Sequence, residues 1–192
     1  MKNIEEQMSV YAAYHQDARN KATHFIGVPA IILSLFIPLA WIRFDAGGVT
    51  ITAAMLFAAV VVLYYFFLDV LLALAMLVVT GLLVFAGEKI AGLGTVQGWI
   101  WFALLFVGGW ILQLVGHVFE GRKPALADNL FQIFVAPISL AAEVFFALGY
   151  KPRLHENVQN RALQLRRAQS ADSSSSLPRT SSRSGASGSR SV

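Results

Sequence analysis

Apolar residues in this chain gather into long runs separated by short polar stretches. Residues 1–24 are polar and mixed in charge, and the first run extends from about Phe25 to Ile42. Arg43 and Asp45-Ala46-Gly47-Gly48 read as a short loop. Val49 to Ala86 is then apolar for 38 residues, interrupted by one charge at Asp69. A single helix of that length would be about 57 Å long, nearly twice the hydrocarbon thickness of a bilayer. Two spans joined by a tight turn at Asp69 fit better, with Tyr64, Tyr65, Phe66 and Phe67 as an interfacial aromatic belt. Gly87 to Gln97 reads as a loop, and about Gly98 to Gly116 as a fourth span. After a polar connection at 118–129, residues 130–149 are apolar again but contain Pro137 and Glu143, which suits a fifth span or a re-entrant segment. Each run approaches the roughly 20 residues a crossing requires.

The expected architecture is therefore all-α: a polytopic membrane helix bundle of four spans plus a fifth span or re-entrant segment. An N-terminal interfacial segment (1–24) precedes the bundle (25–155). In the N-terminal segment Ile4, Met8, Tyr11 and His15 recur at helical spacing, predicting a short amphipathic helix. A basic, Ser-rich tail (156–192) follows the bundle and is expected to be disordered from about residue 170, where the composition cannot bury a core.

Composition supports this picture. The chain has 192 residues, of which 56% are hydrophobic and 14% charged, against roughly 25% charged in soluble domains. The absence of cysteine excludes disulfides and thiol chemistry. A net charge of +4, carried by tails and loops, points to anionic lipid head groups and not to nucleic acid. The first apolar run starts too late for a cleaved signal peptide. Lys2, Arg19, Lys21, Arg122 and Lys123 fall on one side of the four spans, and the opposite loops hold only Arg43 and Lys89. The positive-inside rule puts the richer side in the cytoplasm.

That side also holds the candidate chemistry. Three of the four histidines, His15, His24 and His117, converge there by topology, and neutral imidazole suits iron and zinc. On one straight helix His15 and His24 would point to opposite faces about 13 Å apart. A break at the capping-rich Gln16-Asp17-Ala18-Arg19-Asn20 stretch would let them meet, with Asp17 or Asn20 capping the next helix. Asn20 lies four residues before His24 and shares its face. Glu120 reads as a fourth ligand, a general base, or a partner of Arg122 or Lys123. Arg122 suits a carboxylate or a lipid phosphate. Glu143 is an ionisable group in an apolar segment. Gly108-Gly109 reads as a site of close helix approach. His155 reads as a surface residue.

One family resembles this pattern. Tyr14-His15, Asn20, His24 and Val28-Pro29 are followed by Gln113-x-x-Gly116-His117-x-Phe119-Glu120-x-Arg122-x-Pro124-Ala125-Leu126-x-Asp128-Asn129-Leu130. Ala136-Pro137, Glu143 and Leu148-Gly149-x-x-Pro152-Arg153-Leu154 come next. Together they resemble the 2-hydroxy-fatty-acid dioxygenases over about residues 8–155. These are small multispan membrane proteins of the yeast endoplasmic reticulum and of bacteria. The resemblance implies a ferrous iron enzyme that shortens 2-hydroxy fatty acids by one carbon using dioxygen, in alpha-oxidation. It implies His15, His24 and His117 as iron ligands. With that chemistry, Asn20 and Glu120 are read as assisting catalysis and Arg122 as holding the substrate carboxylate. Where the yeast-type sequence has a further loop histidine, this chain has Glu88 and Lys89. Two other classes fit the same residues: a different metal-dependent lipid enzyme, and a scaffold or small transporter whose polar cluster binds lipid head groups. The partners expected are the fatty acid, dioxygen and the bilayer; the sequence carries no signal of oligomeric state.

Overall fold

The structure is a computed structural model that describes residues 3–121 and 131–175. Among them are seven helices and one β-hairpin: α1 (Ile4–Tyr14), α2 (Ala18–Leu39), β1 (Arg43–Ala46), β2 (Val49–Thr52), α3 (Ala53–Leu68), α4 (Val70–Ala91), α5 (Thr95–Glu120), α6 (Gln132–Ala147) and α7 (Pro152–Ser175). The fold is the all-α helical bundle that the sequence predicts.

Helices α2 through α5 alternate in direction. Gly116 of α5 faces Asn20 and His24 near the start of α2, Gly109 faces Gly27 and Ile31, and Gly98 faces Trp41 beyond its end. The two helices are thus antiparallel. A Cβ on Gly109 would come within 2.6 Å of the Ile31 side chain, so glycine there lets two backbones approach as larger residues cannot. Gly108, beside it, meets nothing within 4 Å. Helix α4 runs parallel to α2: its Gly87 meets Phe36, and its Ala91 carbonyl accepts from Trp41 Nε1 at 3.2 Å. Helix α3 returns against α4, since Thr52 at its start donates to Glu88 near the end of α4 at 2.9 Å. The starts of α2 and α4 and the ends of α3 and α5 therefore share one end of the bundle.

The turn at Asp69 is a single residue. It is extended (φ −161°, ψ 121°), and its Oδ1 accepts from the Leu71 and Leu72 amides at 3.0 and 3.1 Å. Those are orphan donors of a helix start, which a short acidic side chain satisfies. Lys151, just before α7, donates to Asp69 Oδ2 at 2.5 Å. The segment from Glu120 to Lys151 thus begins and ends at the same end of the bundle, and α6 does not carry the chain to the other.

Length separates the helices. α2, α4 and α5 have 22, 22 and 26 residues and are long and apolar enough to cross a membrane. Their outward faces, with residues such as Leu82, Leu104 and Val107, expose large apolar side chains, as a hydrocarbon solvent permits. These features mark the bundle as membrane-associated. α3 and α6 have 16 residues each, about 24 Å, short of the length expected of full spans.

Three expectations need correction. The apolar run from Val49 does not start as a helix: Val49–Thr52 pairs antiparallel with Arg43–Ala46 around Gly47-Gly48. Both glycines have positive φ, 60° and 87°, the conformation a two-residue hairpin demands, and β-branched residues follow. The loop expected at Gly87–Gln97 shrinks to Gly92–Gly94, because α4 continues to Ala91 and α5 starts at Thr95. The basic stretch after Lys151 is a helix, α7, as far as Ser175. It packs along α1, burying Val158 and Ala162 against a core that includes Met8, Ala12 and Ala13.

Asp69→Ala removes both the α4 cap and the Lys151 pair. A loss of at least about 1–2 kcal/mol is expected, measured by thermal unfolding in detergent micelles. Burial raises the Asp69 carboxyl, but hydrogen bonds from Lys151 and Leu72 outweigh it, and the net shift is downward. A depressed carboxylate stabilises the fold above its unfolded value and ceases to do so as pH falls through the folded one. The difference between parent and variant therefore shrinks in acid.

Candidate metal centre

The site begins with the corner between α1 and α2. α1 stops at Tyr14, His15 is its C-cap (φ −135°, ψ 68°), and Asp17 caps α2 by accepting from the Arg19 amide at 2.8 Å. The break sits where the sequence predicts it. What holds it open comes from another helix. Glu120, in the last turn of α5, accepts from the Gln16 and Asp17 amides at 2.9 and 2.8 Å through Oε2. Its Oε1 pairs with Arg166 of α7. Two backbone donors that a continuous helix would use internally are instead taken by a buried carboxylate.

The corner turns His15 back toward His24, and Gly116 lets α5 bring His117 beside them. A Cβ at Gly116 would lie 2.5 Å from Asn20 Oδ1 and 3.3 Å from His24 Nδ1. The three rings are all buried, with centroids 4.5 Å (His15–His24), 5.0 Å (His15–His117) and 5.1 Å (His24–His117) apart. One ring nitrogen from each histidine lies within 4.8 Å of the others.

Hydrogen bonding fixes two tautomers. His15 Nδ1 lies 2.7 Å from the Tyr11 carbonyl, and His24 Nδ1 lies 2.9 Å from the Asn20 carbonyl. A carbonyl only accepts, so each Nδ1 carries the proton and each neutral ring presents a bare Nε2. Those two Nε2 atoms face each other at 3.1 Å. Burial, followed by the neighbouring His24, holds His15 well below the usual histidine range, so it is neutral near pH 7. Two opposed lone pairs at this distance repel unless a cation sits between them. A metal–nitrogen bond of about 2.1 Å places adjacent ligands about 3.0–3.4 Å apart. His117 Nδ1 is also buried without a hydrogen-bond partner among the described residues. The donor set fits a divalent metal of the iron or zinc kind.

The histidines open onto a cavity of about 90 Å³ whose lining includes Tyr11, Val28, Gln113 and Gln132. Tyr11 stacks on His15, with centroids 3.9 Å apart and planes at 13°. A second cavity of about 210 Å³ shares Ile31, Ile32 and Ile133 with the first and extends to Phe36 and Thr80.

The remaining expected residues fall as follows. Asn20 is fully buried and acts twice: its carbonyl fixes His24, and its Nδ2 donates to the Tyr14 carbonyl and to Glu120 Oε2, both at 3.3 Å. Glu120 adjoins the histidines but is committed to the corner, and the partner in view is Arg166. Arg122 and Lys123 lie outside the described residues. Glu143 pairs with Lys21 at 2.7 Å. His155 is half-buried, stacked on Phe146 at 4.7 Å, and outside the three-histidine cluster. The sequence reading missed Tyr11 and Gln113 as cavity residues, although each stands four residues before a site histidine and so shares its face. Gln132 and Arg166 carry no comparable signal, because each arrives from a distant helix.

Comparison with known proteins adds a further finding. The family profile described as "Mpo1-like: 2-hydroxy-palmitic acid dioxygenase Mpo1-like" matches residues 1–148. The 2-hydroxy-palmitic acid dioxygenase MPO1 of Saccharomyces cerevisiae is 31% identical over 161 residues, covering 82% of this chain and 88% of the relative. No solved structure matches the chain.

Glu120→Ala removes the carboxylate partner of the partly buried Gln16 and Asp17 amides, whose loss costs at most about 1–3 kcal/mol for each donor. Loss of such an orienting group typically lowers metal affinity roughly 10–100-fold. That drop is expected in cobalt(II) titrations followed by visible absorption. An unchanged cobalt affinity would show that the corner does not set the histidine geometry.

Proposed function

The chain belongs to the Mpo1-like family of 2-hydroxy-palmitic acid dioxygenases, and we propose that it shortens 2-hydroxy fatty acids by one carbon with ferrous iron held by His15, His24 and His117. At the level of the family, its function is that of a fatty-acid dioxygenase, an oxidoreductase. The observation that carries the finer reading is the pair of bare Nε2 atoms facing each other at 3.1 Å.

Ferrous iron in this position would supply dioxygen chemistry, with positions left open by a set of only three protein ligands. The overall stoichiometry closes without an external reductant. One 2-hydroxy acid and one dioxygen give a carboxylic acid shorter by one carbon, one carbon dioxide and one water. The four electrons lost by the substrate are the four that dioxygen accepts.

The chain's own groups divide the remaining work. The Tyr11 and Asn20 carbonyls hold the His15 and His24 rings in the tautomer that turns Nε2 inward, as partners of metal-bound histidines generally do. Glu120 and Asn20 position the corner that carries His15. Arg122, two residues beyond Glu120 in sequence, is the candidate charge for the substrate carboxylate. The apolar cavity beyond Ile31, Ile32 and Ile133 suits the acyl chain. Together the two cavities follow α2 from His24 to Phe36, 12 residues or about 18 Å; a bilayer leaflet, about half the 30 Å hydrocarbon core, is similar in depth. The count of lysines and arginines supports a cytoplasmic face for the histidine end.

Three outcomes test this reading. His15→Ala, His24→Ala and His117→Ala each lose turnover and iron, because few protein contacts hold a divalent metal against water. His155→Ala keeps both. Iron per protein and shortened product are measured in membranes matched for expression, and full iron content in two of the three site variants would sink the shared centre. For orientation, single cysteines at Gln16 and Lys123 are expected to label from the cytoplasmic side and one at Gly92 from the other. Labelling of the first two from opposite faces contradicts the arrangement.

A further inference from the structure

Six buried side-chain polar atoms have no hydrogen-bond partner among the described residues: Tyr11 Oη, Asn20 Oδ1, Gln113 Nε2, His117 Nδ1, Gln132 Oε1 and Ser139 Oγ. Tyr11, Gln113, His117 and Gln132 all line the single 90 Å³ cavity beside the histidines. Buried polar groups are normally paired, and each that is not costs stability. Four such residues around one cavity form a polar socket beside the histidines. The histidine nitrogen belongs to the metal reading above. The other three come from three helices, α1, α5 and α6, and that reading does not use them.

We infer that Tyr11, Gln113 and Gln132 form a neutral hydrogen-bonding socket for the head of a 2-hydroxy carboxylic acid, reading its hydroxyl as well as its carboxylate. This rests on the proposed function and deepens it. The Tyr11 hydroxyl and the Gln113 amide N–H are donors, which suit carboxylate oxygens. The Gln132 carbonyl is an acceptor, which suits the proton of the 2-hydroxyl. A ligand with acceptors and a donor on adjacent carbons satisfies all three, whereas a plain fatty acid leaves Gln132 unsatisfied. Sites built to bind a hydroxyl discriminate strongly against analogues lacking it, because the buried partner is then left unpaired.

The positions suit this task. Tyr11 is stacked on His15 and so held beside the metal centre. Gln113 lies one turn before His117, with its amide packed over Gly27 where any side chain would displace it. Gln132 starts α6 and is followed by Ile133, which lines both the histidine cavity and the apolar cavity. The polar head and apolar tail of one ligand thus meet complementary walls in sequence.

The geometry also predicts an unusual relation between stability and binding. The test uses the full chain in lipid nanodiscs, loaded anaerobically with ferrous iron so that no turnover occurs, and in parallel without metal. Tyr11→Phe, Gln113→Met and Gln132→Met remove the polar atoms at nearly constant volume. Each is expected to leave the ligand-free melting temperature unchanged or raised, and to weaken 2-hydroxypalmitate binding about tenfold or more. The parent is expected to prefer 2-hydroxypalmitate to palmitate, and Gln132→Met to erase that preference. Variants that melt earlier with unchanged affinity would overturn the inference, since the polar atoms would then serve the fold. So would a parent that binds both acids equally. Failure of the parent to take up ferrous iron would count against the iron reading alone, because the metal-free titration still decides the socket.

Discussion

The carboxylate of Glu120 is the contact on which the site depends. It draws the Gln16 and Asp17 amides out of what would otherwise be one helix from Ile4 to Leu39. A buried carboxylate is costly unless its lone pairs are used. Here four donors use them: two backbone amides, the Asn20 side chain and Arg166. Arg166 belongs to α7 and Glu120 to α5, so the corner between α1 and α2 is secured by two further helices. The bend that brings His15 to His24 is therefore a property of the assembled bundle.

Close packing does the rest of the positioning. Helix α5 can approach α2 only because glycine stands at 109 and 116, where a Cβ would strike side-chain atoms of α2, and at 98, where it would strike Trp41 just beyond the end of α2. In an apolar solvent such contact is a main source of helix association, since burying apolar surface gains little there. The same stripe that joins the helices delivers His117 to His24. Structural and chemical roles coincide at Gly116, whose missing side chain makes room for Asn20 and for the His24 ring.

The interior is divided by polarity. At the histidine end polar atoms are either locked to backbone carbonyls or left unpaired around a small cavity. Beyond Ile31 and Ile32 the walls are almost entirely apolar. A gradient of this kind suits an amphipathic molecule with its head toward the histidines. Locking His15 and His24 to backbone carbonyls in advance would lower the reorganisation that metal binding requires. The unpaired atoms are the complement: buried polar groups without partners cost stability, and four such residues line the cavity beside the histidines.

Much of this was legible in the chain. The long apolar runs, the turn at Asp69, the break after His15 and a cap at Asp17 or Asn20 follow from periodicity and from residues that satisfy orphan backbone donors. The grouping of His15, His24 and His117 follows from counting passages through the bundle. Other features were set by contacts between distant residues. The sequence places Glu120 three residues from His117 but cannot say that its oxygens are spent on residues 16, 17, 20 and 166. Composition makes the stretch after Lys151 a polar surface segment; only packing against α1 makes it a helix that supplies Arg166. Tyr11 and Gln113 share faces with site histidines by spacing, yet their lack of partners emerges only when every neighbour is in place. Local patterns determine helices, caps and turns because those interactions span at most four residues. Which buried polar groups find partners depends on atoms a hundred positions away, and tertiary structure alone decides it.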